Sequence, residues 1–270
     1  MTETYTHGHH ESVLRSHSWR TAANSAAYLL GHLEAGMDLL DVGCGPGTIT
    51  LDLAELVAPG RVLGIDASAD VVAQADELRR ERGVPNVSFR VDDVYGLGLE
   101  DASFDVVHAH QVLQHLSDPV AALTEMRRVL RPGGVVAVRD GDYAAFVWAP
   151  ENPEIERWLE LYHQVTARNG GEADAGRHLL GWVRRAGFVD AVAGSSTWTF
   201  SDPESRAWWG GTWADRVASS ALADQALEYG LSDRGELARL AAGWRRWIDE
   251  PDGVFIVVHG EVLARCPVAL

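Results

Sequence analysis

From residue 39 onward, short unbroken apolar runs alternate with segments whose apolar residues return every three or four positions. Leu39–Val42, Val62–Ile65, Val87–Val91, Phe104–Ala109 and Val135–Val138 are runs of strand length. They are largely continuous rather than alternating, which suits strands buried on both faces. Gly47–Val57 reads as a helix ended by Pro59-Gly60, and Val71, Ala75 and Leu78 keep helical spacing. Val120, Leu123, Met126 and Leu130 line one face of a further helix. Asp118 caps it with Pro119 in its first position, and Pro132-Gly133-Gly134 ends it. Strand–helix alternation with short connections predicts an α/β fold: a Rossmann-like, doubly wound, mostly parallel sheet covered on both faces.

The texture changes after residue 140. Asn152-Pro153 opens a helix with Ile155, Trp158, Leu159 and Tyr162 on one face. Residues 175–186 read as another helix, closed by Gly187, and Val189–Phe200 as a strand. Ser201-Asp202-Pro203-Glu204 has the form of a capping box. Ser232 is expected to cap a last helix carrying Leu237, Leu240, Trp244 and Trp247, and Val254–Leu263 closes the sheet. The expected organisation is an N-terminal helical arm over 1–38, then one domain over 39–270. That domain holds a seven-stranded sheet and helical insertions at about 143–173 and 201–250 that form a lid.

Composition narrows the class. A chain of 270 residues can bury roughly 75% of its unfolded surface and needs no staple. The two cysteines, Cys44 and Cys266, have no metal-ligand spacing. No metal site is expected, and the two thiols suit a reducing, cytoplasmic setting. No apolar run reaches membrane-spanning length, so no membrane insertion is expected. The net charge of −16 opposes binding to a phosphate backbone, and nucleic acid is not expected as a partner.

The stretch LLDVGCGPGT, residues 39–48, carries the chemistry. An apolar strand ends in Asp41, and Gly43, Gly45 and Gly47 follow before a helix begins. Ligands of open α/β sheets bind at this edge, and glycine lets a ligand approach the backbone. A dinucleotide fingerprint would place a third glycine where Thr48 stands, and a P-loop would need a lysine that is missing. The later strands end in Asp66-Ala67-Ser68, in Asp92-Asp93-Val94 and in His110-Gln111. A carboxylate at the second strand end can accept both hydroxyls of a ribose, and one at the third can accept from an adenine amino group.

This ordered set resembles the class I S-adenosyl-L-methionine-dependent methyltransferases. LLDVGCGPGT is similar to their first motif and GIDAS to their second. VDDV, ASFDVVHAHQVLQHLSDP and RVLRPGG match later landmarks in order and spacing. The resemblance spans about residues 39–140 and is nearest to the small-molecule branch, including quinone C-methyltransferase-like enzymes. It implies S-adenosyl-L-methionine as cofactor. Gly43, Cys44 and Gly45 would line its methionine part, and Asp66 would bind the ribose with Ala67 beside the adenine. Asp93, or Asp92, would meet the adenine amino group, with Val94 on the ring. His110 and Gln111 would sit near the sulfonium. Asp41 would either meet the donor's amino group or order the loop, and Arg20 would pair with the donor's carboxylate.

Methyl transfer is an in-line displacement in which positioning supplies much of the acceleration. A base is needed only for an acceptor that must lose a proton. His17 is the chosen candidate, because the N-terminal arm can reach the donor. Trp19, Tyr143 and Trp148 are the candidate acceptor contacts. Six of the ten tryptophans fall between residues 198 and 247, which suits an apolar or aromatic acceptor pocket. The expected partner is a small-molecule methyl acceptor, with a homodimer left open. A non-catalytic S-adenosyl-L-methionine-binding module and a nicotinamide oxidoreductase stand as alternatives.

Overall fold

The computed structural model describes Thr6 and residues 19–268. The N-terminal part of this range forms two helical turns, α1 (Ala22–Ser25) and α2 (Ala27–Leu30), rather than one continuous helix. Then follow β1 (Leu39–Val42), α3 (Thr48–Val57), β2 (Val62–Asp66), α4 (Ala69–Arg82), β3 (Val87–Val91) and β4 (Phe104–His110). A single 3-10 turn, Leu113–His115, leads to α5 (Pro119–Val129) and β5 (Leu130–Gly141). The second half holds β6 (Val147–Ala149), α6 (Pro153–Arg168), α7 (Ala175–Arg185) and β7 (Val189–Phe200). It ends with α8 (Pro203–Ser219), α9 (Ala221–Glu228), α10 (Arg234–Ile248) and β8 (Val254–Arg265).

The sheet runs β3-β2-β1-β4-β5-β8-β6, with β7 also paired to β8. β1 to β5 are mutually parallel, and β8 is antiparallel to β5, β6 and β7. The described residues therefore form eight strands where seven were expected. The extra one, β6, adds no new rank. β5 pairs with residues 259–265 of β8 and β6 with residues 254–256, on the edge opposite β7. A three-residue apolar run, Val147-Trp148-Ala149, is too short to read as a strand from sequence.

Local signals set the element ends. Gly47 is not in the first helix but caps it, at φ 85°. Ser68 accepts from Val71 N to start α4, and Gly83 ends it at φ 66°. Asp118 starts α5 as expected, accepting from Ala121 N at 2.9 Å. Two caps differ from expectation. Asp202, not Ser201, caps α8, accepting from Ser205 N at 3.0 Å with Pro203 in the first turn. Asp233, not Ser232, caps α10, and the Ser232 hydroxyl instead donates to Glu236 at 2.7 Å. An ionised acceptor is the stronger cap where either neighbour is available.

Two cores flank the sheet proper, and a third is made by the insertions. One lies between the sheet and α5 and α7, including Leu123, Met126, Leu179 and Trp182. Another lies under α1–α3, including Leu29, Leu51 and Val57. The third is aromatic, with Trp158, Trp209, Trp213, Trp244, Trp247 and Phe255 packed between α6, α8, α10 and β8. Arginines of the basic clusters are paired with carboxylates: on helices, Arg82 with Asp52 and Glu55, Arg128 with Glu125 and Asp101, and Arg246 with Glu154; at the start of β5, Arg131 with Asp38 and Asp105. Among the described residues no helix is long and apolar enough to cross a membrane.

Candidate active site

The carboxyl ends of β1, β2 and β3 converge on one side of a cavity of about 980 Å³. Gly43, Gly45 and Gly47 all have positive φ, at 66°, 55° and 85°. At Gly43 a Cβ would also come within 2.4 Å of a Val112 methyl, so the loop's path needs glycine there. Asp66 ties this loop to the next one. It accepts from Gly45 N at 3.1 Å and Ser68 N at 3.0 Å. Each carboxylate oxygen keeps a further lone pair, and Asp66 lines the cavity. Asp41 also lines the cavity, but Thr50 donates to one of its oxygens and His108 Nδ1 lies 2.7 Å from the other. It thus joins β1, α3 and β4, rather than holding the loop's own amides.

At the end of β3, Asp93 accepts from Tyr95 N at 3.0 Å and Asp92 pairs with Arg90. Both line the cavity with Val94 and Ala67. Burial pushes the Cys44 thiol well up, reinforced by Asp41 and Asp66, so this cavity-lining sulfur stays protonated and apolar.

The floor of the cavity is a polar network at the end of β4. Gln111 sits at φ 54°, a backbone region that a non-glycine residue rarely adopts. Its Oε1 accepts from Arg20 Nη2 at 2.5 Å, so its amide nitrogen is the atom that donates to His259 Nε2 at 2.9 Å. Arg139 is fully buried, donates to Glu261 at 3.1 Å and lies 4.9 Å over the Trp198 ring. Its Nη1 is 3.5 Å from His110 Nδ1. A guanidinium only donates, so Nδ1 of His110 is unprotonated and the neutral ring carries its proton on Nε2. Nε2 is buried and has no partner among the described residues. Burial, then Arg139 and Arg20, holds His110 well below the usual histidine range, which keeps it neutral. His115, on the turn after β4, is likewise pushed down to about 3 by burial and Arg20.

The other wall comes from the insertions and from β7, which supplies Trp198. Tyr143, Phe146, Trp198, Trp208, Trp209 and Trp213 line it, with Arg216 from α8. Trp198 Nε1 donates to Asn24 O at 2.7 Å, docking the N-terminal turns on β7.

The expected residues are thus largely brought together. Arg20, Asp41, Gly43, Cys44, Gly45, Asp66, Ala67, Asp92, Asp93, Val94, His110, Gln111 and Tyr143 all line the cavity. His17 lies outside the described residues. Trp19 does not line the cavity; it packs on Trp198 and Trp208 at 5.2 Å and is 38% exposed. Trp148 stacks on Phe255 at 5.9 Å within the aromatic core, because pairing of β6 to β8 fixes it there. Sequence reasoning missed His115 and Arg216 as lining residues. Arg216 had a signal: it follows Trp208, Trp209 and Trp213 at helical spacing on α8.

A methyltransferase-domain family matches residues 33–187, more than half of the chain. The chain belongs to this family. It is a class I methyltransferase that uses S-adenosyl-L-methionine as its cofactor. An uncharacterized methyltransferase of Schizosaccharomyces pombe is 34% identical over 267 residues, covering 96% of this chain and 95% of that one. The probable methyltransferase ltbC of Aspergillus luteorubrus is 30% identical, covering 98% of each. In fold, the chain is similar to Haemonchus contortus phosphoethanolamine N-methyltransferase 2, solved with S-adenosylhomocysteine (TM-score 0.56, 18% identity). That likeness covers 89% of this chain and 51% of the other.

Proposed function

We propose that this methyltransferase acts on a small, largely apolar or aromatic acceptor, such as a natural product or a quinone-like ring. One observation carries the reading: a single cavity is bounded on one side by the motif loops and on the other by six aromatic side chains. Its volume of about 980 Å³ is at the upper end for small-molecule sites, enough for donor and acceptor side by side. The residues fit the donor. The glycine loop leaves room at the backbone, Asp66 offers lone pairs for ribose hydroxyls, and Asp93 or Asp92 offers an acceptor for an adenine amino group beside Val94. Arg20, anchored on Gln111, supplies a cation for the donor carboxylate. When bound, the donor supplies an electrophilic methyl group on a sulfonium. The protein's part is to hold the acceptor in line behind that carbon and to exclude water. The aromatic wall does both, and its ring faces favour the sulfonium's charge. The local pairing of the helical arginines supports a small-molecule acceptor over nucleic acid.

The test is transfer of labelled methyl from S-adenosyl-L-methionine to a panel of naphthols, hydroxyquinones, aromatic acids and amines. Transfer to an aromatic member is expected. It should fall at least tenfold in Trp208→Ala, with S-adenosylhomocysteine affinity changed less than threefold. Transfer to RNA or peptide with none to the panel would overturn the acceptor class. Donor binding with no transfer to any substrate would favour a non-catalytic module.

A further inference from the structure

We infer that Arg139, which does not line the cavity, is a positioning residue for methyl transfer: it holds His110 and Trp198, two side chains that do line it, in fixed orientation. Strand register builds the contact. Arg139 of β5 lies directly opposite His110 of β4 and Glu261 of β8, so the three side chains form a row on one face of the sheet. Ser196 of β7 stands opposite His259, two residues before Glu261 on β8, and reaches the same row. Arg139 Nε donates to Ser196 Oγ at 3.0 Å and to Glu261 Oε1 at 3.1 Å. From this fully buried position Nη1 reaches His110 Nδ1 at 3.5 Å, and the guanidinium carbon lies 4.9 Å from the centre of the Trp198 ring. One side chain thus touches a cavity-lining residue at the end of β4 and another on β7.

The two contacts act differently. A guanidinium only donates, so Arg139 leaves the His110 proton on Nε2. Burial, with the Arg139 charge beside it, keeps that ring neutral. Trp198 is tied at its indole edge, where Nε1 donates to Asn24 O at 2.7 Å. The Arg139 guanidinium and the His259 ring, 4.4 Å away at 62°, hold its plane. The Arg20 guanidinium lies on the same ring at 5.7 Å. An ion pair this buried adds little net stability over apolar side chains of the same volume, so pairing with Glu261 does not by itself account for an arginine here. The effect on the acceptor rests on the reading above that it lies against the aromatic side of the cavity. The His110 and Trp198 rings are 5.8 Å apart, so they adjoin on the cavity wall. A tilt of either would move an acceptor off the line through the methyl carbon, and a misplacement of about 1 Å can cost about a hundredfold in rate.

The experiment compares the native chain with Arg139→Met, Arg139→Lys and the double variant Arg139→Met/Glu261→Gln. Transfer of labelled methyl from S-adenosyl-L-methionine is measured to the member of the aromatic panel that the native chain methylates fastest. Arg139→Met is expected to lower kcat at least tenfold, with S-adenosylhomocysteine affinity, which reports a folded domain, changed less than threefold. The double variant removes the unpaired Glu261 charge and should not recover kcat. Recovery to within twofold of native would show that Arg139 only balances that charge, and would overturn the inference. Arg139→Lys keeps a cation beside Glu261 but cannot also lie over Trp198 and reach His110, so it should still lose at least fivefold. Native kcat in that variant would overturn the inference, even if the Met variants do not fold. Imidazole nitrogen NMR spectra, with His110 identified by its loss in His110→Gln, give a second readout. His110 is expected to be protonated on Nε2 alone in the native chain and to show both tautomers in Arg139→Met. A native ring protonated on Nδ1, or a ring unchanged in Arg139→Met, would count against the assignment decisively. Methylation of an aromatic acceptor with kcat unmoved in Arg139→Met would sink the positioning role alone. Methylation of no panel member would sink the aromatic-acceptor reading and this inference with it.

Discussion

At the residue scale, the site depends on side chains held in states they would not adopt in water. Asp140, at the end of β5, is fully buried. One of its oxygens accepts from Gln114 N at 3.1 Å, and the other has no partner among the described residues. Burial pushes its carboxyl up to about 8, against the opposing pull of backbone amides and Arg139. The folded form therefore holds a proton that the unfolded chain, with a carboxyl near 4, has lost. Between about pH 4 and pH 8 the native state binds more protons, so this group's contribution to stability is present at low pH and is lost as pH rises through 8. The slope approaches at most about 1.4 kcal/mol per pH unit. Denaturant titrations of wild type and Asp140→Asn across that range should show the wild type losing stability relative to the variant. Parallel pH profiles would contradict the assignment. Asp140 was invisible to sequence reasoning. Nothing in Val-Arg-Asp-Gly shows that the β5 end meets the turn after β4, which is a tertiary fact.

At the element scale, the motif-loop side of the cavity was legible in the sequence and the aromatic side only in outline. Strand ends in a parallel α/β sheet have fixed relations to the loops that follow, so Gly43, Asp66 and Asp93 could be placed from their distance to apolar runs. The insertions obey no such rule. Their tryptophans share helical faces, but a face pattern cannot say which rings meet a cavity and which meet one another. Trp208, Trp209 and Trp213 of α8 line the cavity, whereas Trp244 and Trp247 of α10 are buried behind them. Trp148, expected at the acceptor, was drawn into the core by a strand too short to foresee. Trp244 is fully buried, 5.0 Å from Trp158 and 5.3 Å from Phe255. Trp244→Ala should therefore cost about 3–5 kcal/mol by urea unfolding, the range for removing a large buried ring. Because Trp244 does not line the cavity, donor affinity in the folded variant should be unchanged. A loss below about 1 kcal/mol would mean that the aromatic core is looser than its geometry implies.

At the scale of the whole molecule, β8 joins the two halves. It pairs with β5 at the cofactor-side sheet, with β6, and with β7, which carries Trp198 toward the cavity. Trp198 of the aromatic wall is thus carried on the same sheet that presents the motif loops. The mostly parallel sheet and its helical decoration were expected from the periodicity of the chain, apart from the eighth strand; the strand order came from the structure. Membership of the methyltransferase family accounts for the motif loops, and the aromatic side of the cavity is built by the second half of the chain.

Calorimetric titration with S-adenosylhomocysteine, with NADH run beside it, tests the central claim most directly. One-site binding of S-adenosylhomocysteine is expected, with none of NADH. Asp66→Ala should weaken it at least a hundredfold, since that carboxylate holds both Gly45 N and Ser68 N and faces the cavity. Binding that prefers NADH, or that survives Asp66→Ala unchanged, would contradict the assignment of the donor site.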